Sequence, residues 1–97
     1  MTHYVVVQLA PKDENTLKRY FAVGREAVEK NGGKPIAGGP DRAVLEDNGG
    51  GTAASVLLSF PSGEAAHAWI NDPDLAEVHS LRRTGADTTI TLLPPMV

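Results

Sequence analysis

The run Tyr4-Val5-Val6-Val7-Gln8-Leu9 alternates like a strand but carries apolar side chains on both faces, and the same doubling recurs from Ala53 to Phe60 and from Thr88 to Leu93. A sheet made of such strands needs cover on both sides. One set of side chains, Val5, Val7, Leu9, Val56, Leu58, Phe60, Ile90 and Leu92, is apolar enough to lie under helices. The opposite set, Tyr4, Val6, Gln8, Ser55, Leu57, Ser59, Thr89, Thr91 and Leu93, mixes large apolar groups with hydroxyls. That face is too apolar for water and too polar for a dry core, so a partner sheet is expected on it.

Two helical stretches are available for the first face. Asp13 is placed to cap a helix in which Leu17, Tyr20, Phe21, Ala27 and Val28 recur at helical spacing, and Gly32-Gly33 ends it. Gly24 lies on the same apolar stripe, where a missing side chain permits close approach to the sheet. Ser62 caps a second helix carrying Ala65, Ala66, Ala68 and Trp69. Pro73 lacks an amide and clashes inside a continuing helix, so the chain stops near Asn71-Asp72 and restarts at Pro73, with Leu75, Val78 and Leu81 as the new stripe. Between the halves, Gly38-Gly39-Pro40 interrupts a strand-like stretch from Lys34 to Glu46, whose paired half is expected at Arg42 to Glu46. Asp47 to Gly51 then turns the chain into the next strand of a hairpin.

The resulting order is strand, helix, strand, strand, helix, strand. It specifies an α+β domain over residues 1–97, ferredoxin-like, with a four-stranded antiparallel sheet and its helices on one face. A chain of 97 residues is one domain and buries a modest share of its surface, so a second copy would supply core that it lacks. Packing the helix-free sheet face on its twin gives a homodimer.

Composition removes several function classes. The chain has no cysteine, which excludes disulfides, thiolate metal sites and cysteine nucleophiles. Nine basic against twelve acidic side chains leave a net charge of −3, with no electrostatic footprint for nucleic acid. The N-terminal apolar run is short and has no basic stretch before it, so neither a signal peptide nor a membrane span is expected, and the expected compartment is cytoplasmic. The three histidines have no zinc-site spacing, and no metal or other cofactor is implied. Gly49-Gly50-Gly51-Thr52 lacks the lysine and helix of a phosphate loop.

The residues with chemistry to offer lie near the end of the chain. His79 and Arg82 are three apart on the last helix, with Asp87 just beyond it, a spacing suited to acid–base work or anion binding. The plainer alternative is a surface ion pair between Arg82 and Asp87, with His79 half exposed. Arg82 is the best candidate for contacting a small acidic ligand, because its planar fork suits a carboxylate. Tyr20 and Trp69 join it as candidate ligand contacts, each with ordinary core packing as the alternative.

The segments Tyr4-Val5-Val6-Val7, Glu29 to Lys34, Leu58 to Trp69 and Leu81 to Asp87 together resemble the DUF1330 family, in its order and over nearly the whole chain. That family belongs to the dimeric α/β-barrel superfamily, so the resemblance implies a ferredoxin-like subunit paired sheet to sheet and implies no activity. Family members often carry an aromatic shortly after the proline of the helix break, where this chain has Leu75. Related superfamily members include cofactor-free monooxygenases, isomerases, haem-degrading enzymes and ligand-binding domains. The spacing of Trp69 and His79 is similar to that in the haem-degrading members, which use an imidazole as axial ligand and an asparagine from the first strand; here that strand offers Gln8.

Two function classes follow. In one, the homodimer binds a small acidic or aromatic metabolite in a cleft between sheet and helices. In the other, it is a monooxygenase- or isomerase-like enzyme using His79, Arg82 and Asp87, and a haem-binding protein is a remoter third.

Overall fold

The computed structural model describes residues 1–39, 41–48 and 54–96. Strand β1 (His3–Pro11) leads into helix α1 (Glu14–Lys30), then strands β2 (Lys34–Gly38) and β3 (Ala54–Phe60). Helix α2 (Gly63–Asn71), a 3-10 turn (Pro73–Leu75), helix α3 (Ala76–Gly85) and strand β4 (Ala86–Leu93) complete the order. The four strands form one antiparallel sheet in the order β2-β3-β1-β4.

Register explains the two faces. Val5 stands opposite Leu58 on one side and Leu92 on the other, and Val7 likewise lies between Val56 and Ile90. These apolar rows carry the core with Leu9, Leu17, Tyr20, Val28, Phe60 and Trp69. The alternate rows, Ser59-Tyr4-Leu93, Leu57-Val6-Thr91 and Ser55-Gln8-Thr89, form the helix-free face. Strand parity alone puts them there.

The caps act where the sequence places them. The Asp13 carboxylate accepts from the amides of Asn15 and Thr16 at 3.1 and 3.2 Å, and the Ser62 hydroxyl accepts from Ala65 N–H at 3.1 Å. At the helix break, Asp72 accepts from the Asp74 amide at 2.9 Å and from Lys30 Nζ at 2.8 Å, tying the end of α1 to the α2–α3 corner. The Lys30 ammonium holds the Asp72 carboxyl below its ordinary range, helped by the Asp74 amide.

The middle segment departs from the expectation. The half that pairs with β3 is Lys34–Gly38, whereas residues 41–48 form no strand and Leu45 is 96% exposed. Gly38 and Gly39 have φ of 148° and 121°, a conformation that side chains disfavour, and the chain turns off the sheet there, so β2 ends at Gly38. Pro35, which has no amide to donate, is accommodated because β2 is an edge strand, and the register shifts between Pro35 and Ala37. Pro40, Ala53 and the Gly49-Gly50-Gly51-Thr52 run lie outside the described residues.

Where α1 meets the end of α3, Gly85 makes a tight backbone approach that helps to position the site. Its carbonyl accepts from the amides of Lys12 and Asp13 at 2.8 and 3.0 Å, and a methyl added at Gly85 would stand 2.8 Å from the Leu17 nitrogen. Gly85→Ala is expected to cost about 1–3 kcal/mol, because backbone cannot yield as a side-chain tip can. Chemical denaturation checks this, and a loss below about 0.5 kcal/mol would contradict the close approach.

Candidate functional site

A cleft of about 290 Å³ opens between α1 and the β2 side of the sheet. Val7, Leu9, Val56 and Leu58 make its floor, Tyr20, Gly24 and Val28 its helical wall, and Phe21, Arg25 and Pro35 the remainder of its lining. Arg25 carries the only charge among these residues, and its guanidinium is 3.7 Å from the exposed Glu29 carboxylate. The size suits one small ring system, at the low end of ordinary ligand pockets. Gly24 helps to form the cleft in a different way from the one its sequence position suggests. A methyl there would lie 3.3 Å from the Tyr20 ring, so the close approach is to Tyr20 and not directly to the sheet.

Behind Tyr20 lies a buried polar cluster. Arg82 is 1% exposed and His79 2% exposed, so neither is a surface residue. Arg82 Nη1 donates to His79 Nδ1 at 2.7 Å, and His79 Nε2 donates to the Trp69 carbonyl at 2.9 Å. The guanidinium carbon sits 5.7 Å from the Tyr20 ring centre and 5.6 Å from that of Trp69, between two aromatic faces. Trp69 also meets the His79 ring edge-on at 5.2 Å and Phe60 at 5.6 Å. Among the described residues, Arg82 Nε has no hydrogen-bond partner and no carboxylate forms a salt bridge with Arg82. Burial lowers its affinity for the proton, while the neighbouring Tyr20 hydroxyl opposes that effect.

The donors fix the state of the imidazole. A guanidinium has no acceptor, so Nδ1 must present its lone pair and the ring proton must sit on Nε2, facing the Trp69 carbonyl. Burial, then the Arg82 and Arg83 charges, hold His79 below its ordinary range, against the pull of the Trp69 carbonyl and Asp72.

The sequence constellation therefore divides. Tyr20, Trp69, His79 and Arg82 come together, and Asp87 does not join them. Asp87 pairs instead with Lys12 at 3.3 Å on the surface. The expected Arg82–Asp87 ion pair is absent for a reason of parity: Ala86 is buried under the helices, so the next residue on the strand points to the opposite face. The acid–base trio cannot act as one, because its carboxylate is on the far side of the sheet edge.

His79 and Arg82 were masked in the sequence by their residue types. Leu75, His79, Arg82 and Gly85 are spaced at four, three and three along α3 and the turn before it, and all are buried. Of the apolar stripe Leu75, Val78 and Leu81, Leu75 lies on that line, whereas Val78 and Leu81 flank it and are only partly buried. The haem reading meets a geometric obstacle. Both His79 nitrogens are engaged internally, and Gln8 belongs to the helix-free rows, across the sheet from His79, so these residues do not fit an axial ligand and its distal partner.

The family model described as "Domain of unknown function (DUF1330)" matches residues 2–96. The chain belongs to the DUF1330 family. No curated protein matches it. Among solved structures, this DUF1330 chain is similar to the RPA0582 protein of unknown function from Rhodopseudomonas palustris, with a TM-score of 0.74, 19% identity, and coverage of 99% of this chain and 83% of that one. It is also similar to a dimeric ferredoxin-like protein of unknown function from Jannaschia sp. CCS1, at a TM-score of 0.75 and 17% identity, covering 98% of this chain and 100% of the other. A third is SnoaB, a cofactor-independent oxygenase from Streptomyces nogalater, at a TM-score of 0.63 and 9% identity, covering 99% and 92%. At such identities the likeness establishes the ferredoxin-like fold. Among the described residues, no helix of this DUF1330 chain is long and apolar enough to cross a membrane.

Proposed function

We propose that the protein is a cytoplasmic homodimer that binds a small aromatic or apolar metabolite bearing one anionic group, in the cleft between α1 and the sheet. The cleft itself carries this reading: an apolar floor, a tyrosine wall and a single arginine among its described lining residues. Arg25 is positioned to meet a carboxylate at the lining, while Arg82 and Trp69 act from behind Tyr20 and shape the wall. The described lining offers no histidine or carboxylate to serve as a base, which favours binding over proton transfer.

The dimer closes through the helix-free face. Tyr4 and Leu93 are adjacent and well exposed there, and Val6 and Leu57 lie between them and the sheet centre. Hiding them contributes about 2 kcal/mol per fully buried large side chain, before ordering costs. The Jannaschia protein's description as dimeric supports a dimer.

Isothermal titration with 1-naphthoate tests the cleft. Saturable binding of one molecule per subunit is expected, abolished by Val56→Phe, whose larger ring occupies the floor. Equal binding by both proteins would place the ligand elsewhere. Sedimentation tests the dimer: a species of twice the 10.3 kDa chain mass is expected, converted to monomer by Leu57→Glu.

A further inference from the structure

We propose that His79 is the positioning residue of the cleft: its neutral imidazole holds Arg82 behind Tyr20, and taking up a proton disrupts that support and weakens binding. This deepens the proposed function and rests on it.

The geometry leaves the imidazole one workable state. Only the neutral ring protonated on Nε2 both accepts from Arg82 and donates to the Trp69 carbonyl. A second proton would convert Nδ1 from acceptor to donor and set a cation against the guanidinium across a 2.7 Å contact. Among the described residues Arg82 Nε already lacks a partner, so a guanidinium that lost His79 would be held by its two aromatic neighbours and the Tyr20 hydroxyl alone. The titratable and charged groups facing the pair are Arg82 and Arg83 on α3, Tyr20 on α1 and Asp72 beyond α2. The core face of the sheet contributes Val5, Val7, Leu9 and Phe60, none of them charged. Asp72 already bonds Lys30, Asn31 and the Asp74 amide, so it is not free to neutralise an imidazolium.

Tyr20 connects this pair to the cleft. One side of its ring meets Arg82, and it also borders Gly24 and the cleft, so a displaced guanidinium moves a cleft wall. Because burial holds His79 below its ordinary value near 6.5, the neutral form persists below that pH and gives way only as pH falls through the lowered value. Over the same interval the unfolded chain takes up the proton first, so folding stability also declines as pH falls below 6.5.

Trp69 is the only tryptophan, and it touches both His79 and Arg82, so its emission reports the pair without any ligand. The test follows Trp69 emission and 1-naphthoate affinity from about pH 7.5 to about pH 5, where the naphthoate stays ionised and circular dichroism confirms the fold. The expected result is one Trp69 transition below pH 6.5, with affinity falling over the same interval towards about tenfold per pH unit. His79→Gln keeps an amide acceptor for Arg82 and a donor for Trp69 but cannot titrate, so both curves should become flat. A flat wild-type emission curve, or a transition retained in His79→Gln, would overturn the assignment to His79. Affinity that stays constant while Trp69 titrates would overturn the link to the cleft. Absence of naphthoate binding at about pH 7.5 would overturn the proposed function and with it that link, and Trp69 emission would still decide whether His79 controls Arg82.

Discussion

Replacing Trp69 with alanine is expected to lower stability by about 3–5 kcal/mol, a large share of the roughly 5–15 kcal/mol available to a small domain. Trp69 is 2% exposed and is the hub of the interior: Phe60, His79 and Arg82 all pack on its ring. Truncation removes one of the two aromatic faces that shelter a buried cation, in addition to opening a cavity. Trp69→Phe retains a ring for Arg82 and should cost visibly less. Urea unfolding of the two variants checks the ranking, and a loss below about 1 kcal/mol for the alanine variant would show that the interior does not depend on this ring.

Arg82 gives the second large effect, with a size that depends on the replacement. Arg82→Ala should cost about 2–5 kcal/mol, since it leaves a side-chain-sized hole and strips His79 Nδ1 of its donor. Arg82→Met fills most of the volume and relieves a buried charge that no described carboxylate balances. Apolar replacements of buried ions are often neutral or stabilising, but methionine, like alanine, leaves the buried His79 Nδ1 without its donor, so this variant should lose about 1–3 kcal/mol, less than the alanine variant. Equal, large losses in both variants would mean that the charge itself holds the fold together.

The sheet and helices were legible because their periods are. Alternation assigned Val5, Val7 and Leu9 to one face and Tyr4, Val6 and Gln8 to the other, and the observed register keeps that division. Asp13, Ser62 and Pro73 marked helix starts by mechanisms that operate within a few residues, so no tertiary information was needed. Arg42 to Glu46 failed for the converse reason. Val44 and Leu45 have strand character, but pairing depends on where the chain goes after Gly38, and the backbone at Gly38 and Gly39 takes it off the sheet.

The site was half legible. Tyr20 and Trp69, candidate ligand contacts with core packing as the alternative, are buried in the core, whereas the types of His79 and Arg82 suggested a surface that their helical spacing contradicts. Spacing from Leu75 was the available signal, and it was outweighed by charge. Asp87 was separable from the cluster by strand parity once β4 was placed. The cleft had no linear signature, because its lining comes from β1, α1, β2 and β3.

Two-dimensional NMR of labelled protein with and without 1-naphthoate tests the central claim most directly. The expected perturbations fall on Val7, Leu9, Tyr20, Gly24, Val28 and Val56, around the cleft between α1 and the sheet. Perturbations confined to Tyr4, Val6 and Leu57 on the helix-free face, or none at saturating ligand, would contradict it.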